Sequence, residues 1–249
     1  MANRPLLARP PLAEAVIVMR LDSKIPPDIL SHVAVRLQSR YPVKRRIKRA
    51  IMTAEVEPAG GKVAFSHEIE DDAGFRLEMI DGLAVVAIEP DGIALARLAP
   101  YLGWASLRQE ASRVWEEFRA LVPEPGVIRV AIRYVNRFPV PVGTFSMEDY
   151  FTMGPANPPI PHMQNVAGFR LQLLFPQPDL DALLIFNQSS APVEKDVCPG
   201  VYLDYDLGTA PRSVPVPDEE IWSILDALHE RQGDLFLATL TEHGLREIS

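Results

Sequence analysis

Two pentapeptides in this chain are identical: Ala73-Gly74-Phe75-Arg76-Leu77 and Ala167-Gly168-Phe169-Arg170-Leu171. What surrounds them repeats as well. Residues 13–122 read as strand, helix, three strands, helix. Residues 126–245 read as strand, short helix, three strands, helix. Met19-Arg20-Leu21 and Ile132-Arg133-Tyr134 hold like places in the two leading strands. Chance is the alternative in a chain rich in arginine and leucine, but matching element order together with a matching pentamer favours an internal duplication. The expected fold is therefore α+β. It is a single unit over 1–249, made of two similar strand-helix-meander-helix halves (13–122 and 126–245) with mostly antiparallel sheets, related by a pseudo-twofold axis. Each half is expected to carry its own sheet with helices on one face. The two leading strands are expected to meet on the axis, and residues of both halves to line a central groove.

The second leading strand is the centre of this plan. In GVIRVAIRYVNRFPVP (126–141) side chains alternate with period two. Arg129, Ala131, Arg133, Val135 and Arg137 share one face, and Val130, Ile132, Tyr134, Asn136 and Phe138 share the other. Elsewhere the local signals are conventional. Residues 13–21 read as a strand, and Pro26-Pro27 opens a helix over 27–40. The basic run KRRIKR (44–49) follows as the solvated end of a helix running into a loop. Residues 63–65 read as a short strand. Asp81-Gly82 and Asp91-Gly92 turn a three-stranded meander through 75–80, 83–89 and 93–98. Ser106 and Gln109 fit a capping box that opens a helix with Leu107, Ala111, Val114, Trp115 and Phe118 on one face. A second hairpin is expected at 169–175 and 182–188, and a strand at 201–207. Asp218 is expected to cap a last helix, Gly233 to break it, and the tail to fray.

Composition removes several classes of function. The net charge of −8 argues against a general nucleic-acid binder, and the basic run is short and lacks interleaved aromatics. One cysteine, Cys198, permits no internal disulfide, so the expected setting is a reducing cytoplasm. No run of apolar residues is long enough for a membrane span. The 24 prolines cluster in connections and imply stiff loops. The five histidines show no metal-ligand spacing, and His67-Glu68 lacks the second histidine of a helical zinc site. Glu55/Glu57 and Glu68/Glu70 lack the lysine of a triphosphate-tunnel motif. No phosphate-binding glycine loop or nucleophile elbow occurs. No metal and no cofactor is expected, and no catalytic residue is assigned.

The candidate ligand-binding residues are Arg129, Arg133 and Arg137, suited to bidentate binding of carboxylate or phosphate, with Tyr134 and Asn136 on the opposite face. Asp204 and Asp206 alternate on a strand of the same half. They offer the arginines a salt-bridged alternative to any ligand.

The centre of the chain resembles a sporadically distributed family of bacterial proteins of similar length. The resemblance rests on Arg97-Leu98-Ala99-Pro100-Tyr101 with Trp104, on Glu110 and Trp115 of the following helix, and on Ile132-Arg133-Tyr134-Val135-Asn136-Arg137-Phe138. It covers residues 90–141. It implies a cytoplasmic bacterial protein and transfers no activity.

The expected function is a non-catalytic binding or regulatory module acting through a protein partner or a small anionic ligand held between the halves. Homo-oligomerisation is left open. The alternative is an enzyme acting on a phosphorylated or carboxylated compound held by Arg133 and Arg137, with Asp204 or Asp206 as base.

Overall fold

In the computed structural model the two leading strands lie side by side. β1 (Leu12–Leu21) pairs antiparallel with β8 (Val127–Pro139), with Ile17 opposite Ile132 and Val18 opposite Ala131. The structure describes residues 7–47, 49–56, 63–70, 73–122, 125–140, 146–155, 168–191 and 200–249, with the backbone alone over 49–56 and 63–70. Cys198, His162, Ala167, Lys48 and the proline-rich stretch 156–161 lie outside the described residues, as do the side chains of His67 and of the acidic pairs near it.

One sheet, rather than one per half, spans the molecule. Its nine strands run in the order β2-β5-β6-β7-β1-β8-β11-β10-β9, and the adjacent pairs of named strands are antiparallel. The two expected sheets fuse because β1 and β8 each have two free edges, and each satisfies one against the other.

On one side of β1 lie β7 (Gly92–Leu98), β6 (Ala84–Glu89) and β5 (Phe75–Glu78). On the other side of β8 lie β11 (Gly200–Thr209), β10 (Ala182–Ser190) and β9 (Arg170–Gln177). Each identical pentamer thus leads into the third strand out from the centre. The β5–β6 connection is longer than a two-residue turn: Met79 N donates to Ala84 O, and Leu83 N to the Asp81 carboxylate. The two-residue turn is Pro90-Asp91. Gly92 follows at φ 159°, where a Cβ would sit 2.2 Å from Met19 O, so the close approach of β7 to β1 requires glycine.

Lys44, Arg45 and Arg46 of the basic run lie on an edge strand, β2 (Val43–Arg46), not at a helix end. It is held by the ladder to β5, with Lys44 over the Phe75 ring at 4.2 Å. Charged residues on an edge discourage pairing with another chain. Between β2 and β5 a separate hairpin, β3 (Arg49–Val56) with β4 (Val63–Glu70), forms its own two-stranded sheet.

Helices roof one face. That face carries Ile17 and Met19 of β1, Ile132, Tyr134 and Phe138 of β8, and Leu203 and Tyr205 of β11, all buried. α1 (Pro27–Leu37) crosses β5 and β6, α2 (Trp104–Arg119) lies over β7, and α4 (Asp218–Thr239) over β8 and β11. A single turn, α3 (Met147–Tyr150), packs on α5 (Glu242–Ile248), which orders the tail. α2 begins two residues before Ser106. Gly103, at φ 95°, is its N-cap, and no side chain caps it. Asp218 is the first residue of α4 and not its cap, and α4 runs unbroken through Gly233, because its buried stripe of Leu225, Leu228, Gln232 and Phe236 outweighs the cost of one glycine.

Candidate functional site

The seven residues singled out from the sequence do not converge. The sheet divides them. Arg129, Arg133, Arg137, Asp204 and Asp206 occupy the unroofed face, and Tyr134 and Asn136 the roofed one. Arg133 grips Asp204 with two parallel hydrogen bonds of 2.8 Å, from Nε and Nη2. Asn187 Nδ2 donates to the same carboxylate at 3.3 Å, and Gln172 Nε2 donates to Asn187 Oδ1 at 2.8 Å. A polar line thereby crosses four strands. Hydrogen bonding to Asp204 holds the Arg133 guanidinium above its ordinary range. Arg129 Nη2 stands 3.6 Å from Asp206, and Arg137 lies against Gly200. Asp204, already accepting three hydrogen bonds from two side chains, is poorly placed to act as a base. Asn136 is buried and donates to Leu203 O at 3.4 Å, a structural use.

Tyr134 belongs to a different constellation, on the roofed face where the halves meet. Its hydroxyl lies 2.9 Å from His229 Nδ1 and 3.4 Å from the Tyr101 hydroxyl. Trp104 stacks on the His229 ring at 4.5 Å and 10°, and its Nε1 donates to Asp226 at 2.7 Å. Arg108 Nε donates to the same Asp226 oxygen at 3.0 Å, and its guanidinium lies 5.4 Å from the Trp222 ring centre. Trp222, Asp226 and His229 share one face of α4 at spacings of four and three. Trp104 and Arg108 do the same on α2. The two helices are therefore locked to each other and to β8. His229 and Asp226 escaped the sequence reading. The signal that would have found them is the helical spacing of Trp222, Asp226 and His229, set against a stripe of Ile221, Leu225 and Leu228 that already explained the helix.

Beside this cluster, where α2 begins, is a partly enclosed cleft of about 210 Å³. Tyr101 lines it and so belongs to both places. Burial raises the Tyr101 hydroxyl above its ordinary range, against the weaker opposing effect of Tyr134, and keeps it a proton donor through neutral pH. Three arginines reach the cleft: Arg40 from the end of α1, Arg97 from β7 and Arg113 from α2. One carboxylate accompanies them. Glu110 accepts from Arg40 Nε and Nη2 at 2.6 and 2.7 Å, from Arg113 Nη1 at 2.7 Å and from the Tyr41 hydroxyl at 2.6 Å. Four donors fill the lone-pair sites of a carboxylate. Burial alone would raise the Glu110 carboxyl, but the hydrogen bonds from Arg40 and Tyr41 together outweigh it and hold it below the usual range. Burial and the same carboxylate push the Tyr41 hydroxyl far up.

Arg97 is left over. Its Nε is buried with no hydrogen-bond partner, and among the described residues its guanidinium has no counter-ion. A buried donor without an acceptor is costly. Among the described residues no group of three or more His, Cys, Asp or Glu side chains is gathered to hold a metal ion, and no helix is long and apolar enough to cross a membrane. No family model matches the chain, and no curated protein matches it.

Proposed function

We propose that this protein is a binding module whose ligand is a small anion, held in the cleft at the start of α2 by Arg97. The carrying observation is the buried Arg97 Nε without an acceptor, in a cleft where Glu110 is already saturated. Three guanidinium groups against one carboxylate leave an excess of two positive charges (3 − 1), and an anion entering there supplies the missing acceptor. Tyr101 donates from the adjoining wall and ties the cleft to the cluster of Tyr134, His229 and Trp104, through which occupancy is felt by both halves. The site lies within the first half and borders the second, a shift from the central groove expected of a duplicated chain.

The duplication itself is part of this proposal. The mirrored strand order about β1 and β8, and the equal placement of the two pentamers, support descent from one strand-helix-meander-helix unit.

The test is isothermal titration with acetate, phosphate and sulfate at low ionic strength. Wild-type protein is expected to bind at least one of them, Arg97→Ala to lose that binding, and Arg133→Ala to keep it. Binding that survives Arg97→Ala, or that disappears with Arg133→Ala, overturns the assignment.

A further inference from the structure

The lining of the cleft says more about the ligand than its charge does. We infer that the occupant is a monocarboxylate bearing a small apolar group, with the carboxylate on Arg97 and the apolar group against Met79, Leu95, Leu102 and Leu107. This rests on the assignment of the cleft as an anion site.

Three observations carry it. The first concerns how many guanidinium groups are free to bind a ligand. Arg40 and Arg113 are both bonded to Glu110, and their side chains are 45% and 44% exposed, where water screens them. Arg97 alone is uncommitted, and one bidentate guanidinium matches one carboxylate. A phosphate dianion calls for more free donors than one guanidinium supplies.

The second is the rest of the lining. Met79, Leu95, Leu102 and Leu107 are apolar, and Leu102 is 66% exposed at the rim although it is a leucine. Next to Met79 in the chain, Ile80 is 87% exposed on the β5–β6 turn. Leu102 thus offers apolar surface at the rim that a ligand in the cleft would cover.

The third is size. A dry cavity of about 150 Å³ holds a benzene ring. The cleft, at about 210 Å³, has room for a group of that size and a carboxylate.

The free acid and the C-terminal residue of a peptide present the same chemistry, and the experiment separates them. Binding is measured by titration at pH 7 and low salt with phenylacetate, its neutral isostere phenylacetamide, phenyl phosphate, inorganic phosphate, and a tripeptide ending in leucine with a free or an amidated C-terminus. The expected result is that phenylacetate binds about tenfold or more tighter than the amide, as loss of a charge-assisted pair dictates, and tighter than either phosphate. Leu102→Asn, an uncharged change at an exposed position, is expected to weaken phenylacetate more than acetate. A tripeptide acid that binds as well as phenylacetate identifies the peptide as an acceptable source, and one that does not confines the site to free acids. Equal or tighter binding of phosphate through Arg97 sinks the carboxylate assignment and leaves the anion cleft standing. Absence of any Arg97-dependent anion binding sinks both. Arg97→Lys, which keeps the charge but not the bidentate fork, guards against misfolding of Arg97→Ala. It is expected to retain the fold by circular dichroism and to lose most of the preference for phenylacetate over its amide.

Discussion

The two wings of the sheet have mirrored strand orders about β1 and β8 and differ at one arginine. Each wing carries an Arg-x-x-Pro stretch at the passage from its innermost meander strand to its roof helix: Arg97, the next-to-last residue of β7, to Pro100 before α2, and Arg212, three residues past the end of β11, to Pro215 before α4. In both, the Nε is buried without a hydrogen bond. In the second wing Arg212 still has a counter-ion, Asp181 at 3.7 Å, which comes from the turn between β9 and β10. The matching turn of the first wing, between β5 and β6, also has an aspartate. Asp81, however, spends its carboxylate on Leu83 N, inside its own turn. One wing thus neutralises its arginine from within, and the other leaves it facing a cleft. A shared backbone plan therefore does not imply a shared site. The difference lies in where one turn carboxylate is directed.

The largest effect that bears on this comparison is expected at the seam. Ile132→Ala removes a fully buried side chain opposite Ile17 and should destabilise the protein by about 2–5 kcal/mol in urea unfolding. Because the sheet is continuous, wild type should unfold in one transition by both circular dichroism and tryptophan fluorescence. Two separated transitions would mean that the wings are independent units.

A middle-sized effect is expected in the first wing. Glu110→Gln leaves Arg40 and Arg113 without their carboxylate and should cost about 1–3 kcal/mol. Glu110 titrates lower in the folded protein than unfolded. Its contribution is therefore complete above its ordinary value of about 4.3 and is lost as pH falls through the lower folded value. The variant should flatten that acid limb of a stability-versus-pH curve, and an unchanged limb would place the acid sensitivity elsewhere.

Smaller still is the unroofed face. Arg133→Ala breaks a bidentate pair, yet its side chain is 47% exposed, so a loss under about 1 kcal/mol is expected. A loss several times larger would make the polar line through Asp204 and Asn187 a structural spine. Smallest in stability is Asp181→Ala, at a 64% exposed carboxylate, with a change of a few tenths of a kcal/mol. It also tests the comparison most directly. If the counter-ion is what separates the wings, this variant should gain a weak second anion site at Arg212, seen as a second binding event with phosphate or acetate.

Much of this architecture is legible in the sequence. Period-two alternation and the Asp-Gly pairs place the meander, and the alternation of 126–141 sorts its two faces as the structure has them. Long-range pairing is not legible in the same way. That β1 and β8 join two meanders into one sheet follows from edges seeking partners, which no local window records. Ser106 misleads because a capping box is a local fit, whereas the start of α2 is set by Gly103 and by Trp104 anchored on His229 and Asp226. The site divides along the same line. Arg97, Tyr101 and Trp104 stand in one motif, but Tyr134 and His229 are 95 residues apart in the chain and meet only after folding. The free state of Arg97 is a fact about what its neighbours have already bonded.

The seam has one more consequence, for the ribosome. β1 is made before β8, which emerges more than a hundred residues later. Until then a nascent first wing exposes one full edge of β1, and contacts this far apart in the chain form slowly. The N-terminal half is therefore the aggregation-prone stage of synthesis, and a chain stalled or cleaved before β8 should be sticky even when its own meander is well formed.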